Sequence, residues 1–339
     1  MLRITSVTVT FYDEVEALMR RFLGLALAAA LTLAAFGCAE TDTGTPATDG
    51  PARQDGPVVR VGSLLDAEGT LLGSMVIEML EANGIPTEDK TKLGTPDVVR
   101  AALLAGEIDA TIDYTGSGQY YHEGEEGDAK WKNAEQAYDA IKQLDAEVND
   151  LAWLTPAPAN NSEFIATTSA LAAAEGIETM ADFAAYVNDG KPVKLIASQT
   201  WIDNPLGLRG FEEAYGFTLG DDQLIALSTG NTAEMLSALA KATDGINFSL
   251  AYGTDGQMAD LDLVIITDTE DVPPVYEPTP IFRGEIMDAY PQIAEILEPV
   301  FLSLDQSKLQ ALNARIAFGG EDPGAVATSY LEENGFLDN

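Results

Sequence analysis

Two α/β lobes, each a largely parallel sheet flanked by helices, are the architecture this sequence predicts. Three observations carry the prediction. Stretches of alternating apolar residues recur between amphipathic helical stretches. At 339 residues the chain exceeds the usual size of one core. One helix, strand and tyrosine unit also occurs twice, far apart in the chain.

The first copy opens at Thr95-Pro96-Asp97, a cap residue followed by a proline at the first helical position and an early acid, and Gly106 closes the helix. Ile108, Ala110 and Ile112 then alternate as a strand that ends at Tyr114 and the turn from Thr115 to Gly118. In the second copy, Asn231-Thr232-Ala233-Glu234 forms a capping box, a helix runs from Met235 to Ala242, and Gly245 breaks it. Ile246, Phe248, Leu250 and Tyr252 alternate up to Gly253-Thr254-Asp255-Gly256. Cap to tyrosine spans 19 residues in the first copy and 21 in the second. Open α/β sheets bind ligands outside the carboxyl ends of their strands, so two facing lobes would bring Tyr114 and Tyr252 to one cleft. The plainer alternative is that each tyrosine caps a core.

The chain begins with an export signature. Met19-Arg20-Arg21 precedes an apolar run from Phe22 to Phe36, too short to span a bilayer, which ends at Ala35-Phe36-Gly37-Cys38. That ending resembles the lipobox of bacterial lipoproteins, and Cys38, the chain's one cysteine, is the expected acylation site. Asp13, Glu14 and Glu16 fit no signal, which points to Met19 as the start. Residues 1–38 are therefore read as a lipoprotein signal peptide and 39–57, rich in Thr, Asp, Gly and Pro, as a disordered tether.

The first lobe is expected over 58–160 plus 270–339 and the second over 161–269. Val58 to Val61 forms a strand that turns at Gly62-Ser63, a helix follows from Glu68 to Asn83, and a weak strand lies near Lys90 to Leu93. Trp131, Ala134, Tyr138, Ile141 and Leu144 line one face of a further helix, and Leu151 to Leu154 is a strand. Thr155 to Asn161, stiffened by prolines, crosses to the second lobe. There the strands are Phe164 to Thr167, Val193 to Ala197 and Leu263 to Thr267, with helices from Met180 to Val187 and from Pro205 to Tyr215. The proline-rich segment from Asp271 to Pro280 crosses back with Tyr276 beside the hinge, and three helices, Tyr290 to Leu302, Gln306 to Phe318 and Pro323 to Glu333, close onto the first lobe.

Fifty-five acidic residues against 18 basic ones leave a formal net charge of -37. Such a surface repels nucleic acid and anionic lipid and suits a saline exterior. His122, the single histidine, has no second His or Cys nearby and reads as a surface residue. No phosphate loop, dinucleotide fingerprint, zinc set or Ser/His/Asp constellation is present, so the chain calls for no metal and no cofactor. An extracellular hydrolase would have to use Asp109, Asp113 and Glu163 as acid and base, and nothing singles these out among so many acids.

The ordered signals Val61-Gly62-Ser63, Gly106-Glu107-Ile108-Asp109 leading to Asp113-Tyr114-Thr115-Gly116, Asn160-Asn161-Ser162, Ala214-Tyr215-Gly216-Phe217, Tyr252 with Thr254-Asp255-Gly256, and Val272-Pro273 with Tyr276 resemble the solute-binding proteins of ABC importers for glycine betaine, choline and related osmoprotectants. The resemblance covers most of Val58 to Phe336. It implies a two-lobed type II periplasmic-binding-protein fold with the ligand cleft between the lobes, and an aromatic cage around a quaternary ammonium group, which has no N–H to donate and is held by ring faces instead. Tyr114, Tyr252 and Tyr276 match cage tyrosines, Ser63, Thr115, Ser117 and Asn161 stand where polar contacts to the ligand are made, and Trp201 lies in the second-lobe loop of the site. Two departures concern the carboxylate grip, Leu64 and Asn204 holding the positions of a lysine and an arginine; separately, Glu163 replaces an aromatic. A choline-like or larger quaternary ammonium ligand, such as an ergothioneine-type betaine, is thereby favoured. The implied protein is a monomer, lipid-anchored on the outer face of the cytoplasmic membrane or periplasmic, that serves ABC permease subunits. A receptor for another small polar solute, such as an amino acid, is the alternative.

Overall fold

The computed structural model describes residues 54–228 and 232–337. The segment read as a signal peptide, with Cys38, most of the expected tether and the expected cap at Asn231 lie outside the described residues.

Val59–Leu64 (β1), Ala67–Ala82 (α1), Thr87–Gly94 (β2), Pro96–Ala105 (α2), Ala110–Tyr114 (β3), Gly118–Tyr121 (α3), Ala134–Asn149 (α4) and Leu151–Trp153 (β4) come first. After the crossing follow Glu163–Thr168 (β5), Ser169–Glu175 (α5), Met180–Asn188 (α6), Leu195–Ser198 (β6), Gln199–Asp203 (α7), Leu208–Tyr215 (α8), Leu224–Leu227 (β7), Thr232–Ala240 (α9), Phe248–Tyr252 (β8), Gln257–Asp260 (α10) and Leu263–Ile265 (β9). The return brings Pro278–Arg283 (β10), Gly284–Ala289 (α11), Ile293–Leu302 (α12), Gln306–Ala317 (α13) and Pro323–Glu333 (α14).

Two five-stranded sheets result, with orders β2-β1-β3-β10-β4 and β7-β6-β8-β5-β9. Their topology is the same once β5 and β10 are matched, and each of these is the first strand after a crossing. The expectation of largely parallel sheets is corrected at that strand: β10 runs antiparallel to β3 and β4, and β5 runs antiparallel to β8 and β9. The other pairs, β1 with β2 and β3, and β6 with β7 and β8, are parallel.

Local chemistry explains the elements. The Asp66 carboxylate accepts the Gly69 amide at 2.7 Å and starts α1, whose Leu71, Leu72, Met75, Val76, Met79 and Leu80 face the core. β2 is weak in sequence because none of its eight residues is buried; it is the sheet's edge. β10 was hidden by Pro278 and Pro280, which normally exclude a strand from a sheet interior. Both prolines turn their carbonyls to Ala157 and Leu154, past the end of β4, so no partner there misses their donors. The helix expected over Tyr290 to Leu302 is α12, which begins three residues later at Ile293, and α11 before it was not expected; Tyr290, Pro291 and Gln292 separate the two, since Pro291 cannot continue α11.

One core fills the second sheet and its helices, and another joins β1, β3 and α1 to α12, α13 and α14, so the closing helices pack on the first lobe. A third, with Leu103, Ile108, Trp131, Ile141 and Trp153, covers the first sheet's other face. Beside it Arg100 donates to both Asp145 oxygens at 2.8 and 2.6 Å, and Trp153 Nε1 adds 2.7 Å. His122 is corrected from a surface residue to part of this network, its Nε2 3.0 Å from Asp145 Oδ1 and its side chain 8% exposed.

Candidate functional site between the lobes

Tyr114 ends β3 and Tyr252 ends β8, the third strand of each sheet order. An aspartate fixes each backbone: the Tyr114 amide donates to Asp113 Oδ1 and the Tyr252 amide to Asp255 Oδ2, both at 2.7 Å. A glutamate takes each phenol: Tyr114 Oη donates to Glu68 Oε1 at 2.7 Å and Tyr252 Oη to Glu163 Oε1 at 3.3 Å. Thus the repeated unit is a chemical as well as a topological one.

Tyr276 lies on the return crossing, its amide donating to Asn160 Oδ1 at 3.0 Å and its carbonyl accepting the Asn161 amide at 2.9 Å. Its ring covers Gly116 so closely that a Cβ there would sit 2.9 Å from Cε1. Gln119 Nε2 donates to its hydroxyl at 3.3 Å, and the Glu163 charge acts on it from the second lobe.

Glu68, in the first turn of α1, is the meeting point. Besides Tyr114, Asn313 Nδ2 of α13 donates to it at 2.6 Å and Asn161 Nδ2 of the crossing at 3.3 Å, and the Thr254 side chain hydrogen-bonds to it from the second lobe. Donors from four segments converge on one buried carboxylate. Burial nevertheless raises its pKa, against the pull of Thr254, Tyr114 and Asn313. Burial likewise pushes Glu163 up to about 7, opposed by Tyr252, and Asp255 up to about 6, opposed by the Tyr252 amide and Thr232. The phenols of Tyr114, Tyr252 and Tyr276 are all driven upward, chiefly by burial and then by neighbouring charge or phenol, so they remain donors. Among the described residues no lysine or arginine pairs with Glu68, Glu163 or Asp255.

Tyr114, Asn161 and Tyr276 are thus brought together around the crossings, with Tyr252 joined through Glu163. Ser117 hydrogen-bonds to Asp113 and Tyr121. Three expected contact residues are committed elsewhere. Ser63 is fully buried, donating to the Leu64 carbonyl at 2.8 Å and accepting the Lys92 amide at 3.0 Å, which fills the β1–β2 bulge. Thr115, also fully buried, donates to the Val275 carbonyl at 3.0 Å and accepts the Glu277 amide at 3.2 Å, pinning the return crossing. Trp201 is 1% exposed in the second core, 6.2 Å from the Phe211 ring, and its Nε1 has no partner. Leu64 packs against the third core, and Asn204 Oδ1 accepts the Leu206 amide at 2.9 Å, so neither supplies a charge.

Sequence reasoning missed Glu68, Asn313 and Gln119. Glu68 reads as an ordinary first-turn acid placed for the helix dipole, and Asn313, 245 residues away, has no local signal. No group of His, Cys, Asp or Glu among the described residues could hold a metal ion.

Two lobes of one topology, joined by paired crossings with tyrosines converging between them, define a two-lobed solute-binding protein. The chain belongs to the family of substrate-binding domains of ABC-type glycine betaine transport systems, whose model matches residues 57–333. It is 46% identical over 278 residues to the glycine betaine-binding protein YehZ of Escherichia coli K12, covering 82% of this chain and 91% of that one. A glycine-betaine-binding protein of Pseudomonas aeruginosa is 28% identical over 289 residues, covering 83% and 89%. The solved apo structure of the Escherichia coli YehZ superposes with a TM-score of 0.75 over 83% of this chain and all of that one. Proteins of this family bind a small ligand outside the cytoplasm and serve the permease of an ABC importer. No helix among the described residues is long and apolar enough to cross a membrane.

Proposed function

We propose that this chain captures a quaternary ammonium osmoprotectant, glycine betaine, choline or a relative, against the ring faces of Tyr114, Tyr252 and Tyr276, and delivers it unchanged to its permease. The observation that carries this is the matched pair of tyrosines ending β3 and β8, each with its phenol on a buried glutamate. A quaternary ammonium group offers no N–H, so ring faces and nearby negative charge are what can recognise it. The glycine betaine-binding relatives support the ligand class. Cys38 acylation would tether a monomer to the outer face of the cytoplasmic membrane, and no catalytic step is assigned to any residue.

Calorimetric titration of the full chain with tetramethylammonium, choline, glycine betaine, carnitine, ergothioneine and an amino acid tests this. Saturable binding of quaternary ammonium compounds, recovered intact, is expected. Tight binding of the amino acid with none by the ammonium compounds would overturn it.

A further inference from the structure

Four donors surround Glu68: Tyr114 Oη, Asn161 Nδ2, Asn313 Nδ2 and the Thr254 side chain. A carboxylate only accepts hydrogen bonds, so this shell fits the ionised form. The two amides cannot turn over without losing Glu68, and their carbonyls therefore face away from it. Both Asn161 Oδ1 and Asn313 Oδ1 are buried without a partner, and Asn313 is 7% exposed. Glu68 thus converts two ambivalent amides into acceptors. Among the described residues no cation offsets it: Asp66 is the charged neighbour that acts on it, and it adds to the negative charge. Glu163, on the Tyr252 side, is a second carboxylate without a basic partner.

A ligand tail that reached these carbonyls would find acceptors to satisfy and few donors, since the Tyr114 and Tyr252 phenols are already engaged. A carboxylate tail, itself only an acceptor, would meet like charge and unpaired oxygens, which costs more than a missed contact. We propose that Glu68 is a specificity-determining residue that selects organic cations whose far end donates a hydrogen bond, such as the hydroxyl of choline, over carboxylate-bearing zwitterions. This rests on the quaternary ammonium reading above and adds the choice between ligand tails. Leu64 and Asn204, which provide no positive charge, act in the same direction.

The test measures the ratio of choline to glycine betaine affinity, in which any common effect on folding cancels. Calorimetry on the full chain is expected to show choline bound at least tenfold more tightly. In Glu68→Gln, which keeps size but frees the amides to reorient, the ratio is expected to fall at least tenfold. Asn161→Leu, which removes one oriented carbonyl and leaves Glu68, should lower it at least threefold and serves where Glu68→Gln does not fold. Tetramethylammonium, which has no tail, keeps the two readings apart. If it binds the wild type while the ratio stays within threefold in the folded variants, the role of Glu68 is overturned and the ammonium site stands. If tetramethylammonium, choline and glycine betaine all fail to bind, the ammonium site itself falls.

Discussion

Glu163 should make the protein less stable as the solution turns alkaline, and Glu163→Gln should remove that dependence. Its carboxyl is held at about 7 in the folded chain by burial that the single Tyr252 hydrogen bond does not offset, against an ordinary value of 4.5. A raised carboxyl keeps its proton in the fold where the unfolded chain has lost it, so its stabilising contribution is complete below pH 4.5 and disappears as pH rises through 7. Between pH 5 and pH 8 that linkage amounts to about 2.5 kcal/mol. Asp255, pushed up to about 6, adds a dependence of the same sign, so the variant rather than the raw profile isolates Glu163. Urea unfolding of wild type and Glu163→Gln at pH 5, 6, 7 and 8 is the assay, the difference between the two free-energy curves being the quantity read. The variant should be relatively less stable at pH 5 and level with or above wild type at pH 8. Parallel curves would show that Glu163 titrates normally and that the second-lobe end of the site is wet. The same logic predicts that a cation bound beside Glu163 expels its proton, so ammonium binding should strengthen from pH 6 to pH 8 in the wild type and not in Glu163→Gln.

Tyr114→Ala and Tyr252→Ala should each weaken ammonium binding at least tenfold by calorimetry, since a desolvated ring–cation contact is worth about 2 kcal/mol; losses under threefold would remove that tyrosine from the cage. Tyr252→Phe should bind nearly as well as wild type, whereas Tyr114→Phe should cost about 1–3 kcal/mol of stability in denaturant melts because Glu68 loses its 2.7 Å donor. Cys38→Ser should shift the exported protein from the membrane fraction to the soluble one on fractionation, and unchanged partitioning would exclude lipidation at that residue. With a net charge of -37, the fold should melt at higher temperature as sodium chloride rises to molar levels, and a flat or falling melting curve would contradict the saline reading.

Much of the fold was legible because it is written locally. The helix over Pro96–Ala105 has its proline and closing glycine in the sequence, and the residues of β3 and β8 alternate visibly. β10 was not, because its two prolines are tolerated only where β4 has run out, which is a fact of tertiary position. β7 was missed for a similar reason: Leu224–Leu227 is a four-residue apolar run too short to distinguish from a loop. In the site, tyrosines at strand ends could be picked out by repetition. Trp201 could not be separated from core by residue type, since a large apolar ring serves either purpose. Glu68 was invisible in a more basic way. Its role arises from Asn161, Asn313 and Thr254, which no spacing rule connects.

Three ring–cation contacts of the proposed cage would supply about 6 kcal/mol, while micromolar affinity requires about 8.2 kcal/mol. The remainder has to come from how the lobes meet. Here the turn after Tyr252 is pressed against the first crossing so closely that a Cβ on Gly253 would lie 1.9 Å from the Asn160 carbonyl oxygen. Gln310 Nε2 of α13 donates to the Gly253 carbonyl at 2.7 Å, and the Asn160 amide donates to Gln306 Oε1 at 2.8 Å. Asn313 joins the same contact by donating to the Thr254 carbonyl at 2.9 Å while it also holds Glu68. The helix that carries these side chains belongs to the first lobe's core, so the second-lobe turn bearing Tyr252 is positioned by protein groups rather than by the ligand alone. A ligand that finds its ring faces already oriented gives up less of its binding energy to ordering them. The shortfall of about 2 kcal/mol is then within reach of one or two hydrogen bonds at the tail, and under the specificity proposed for Glu68 those are the bonds that it and its asparagines would control.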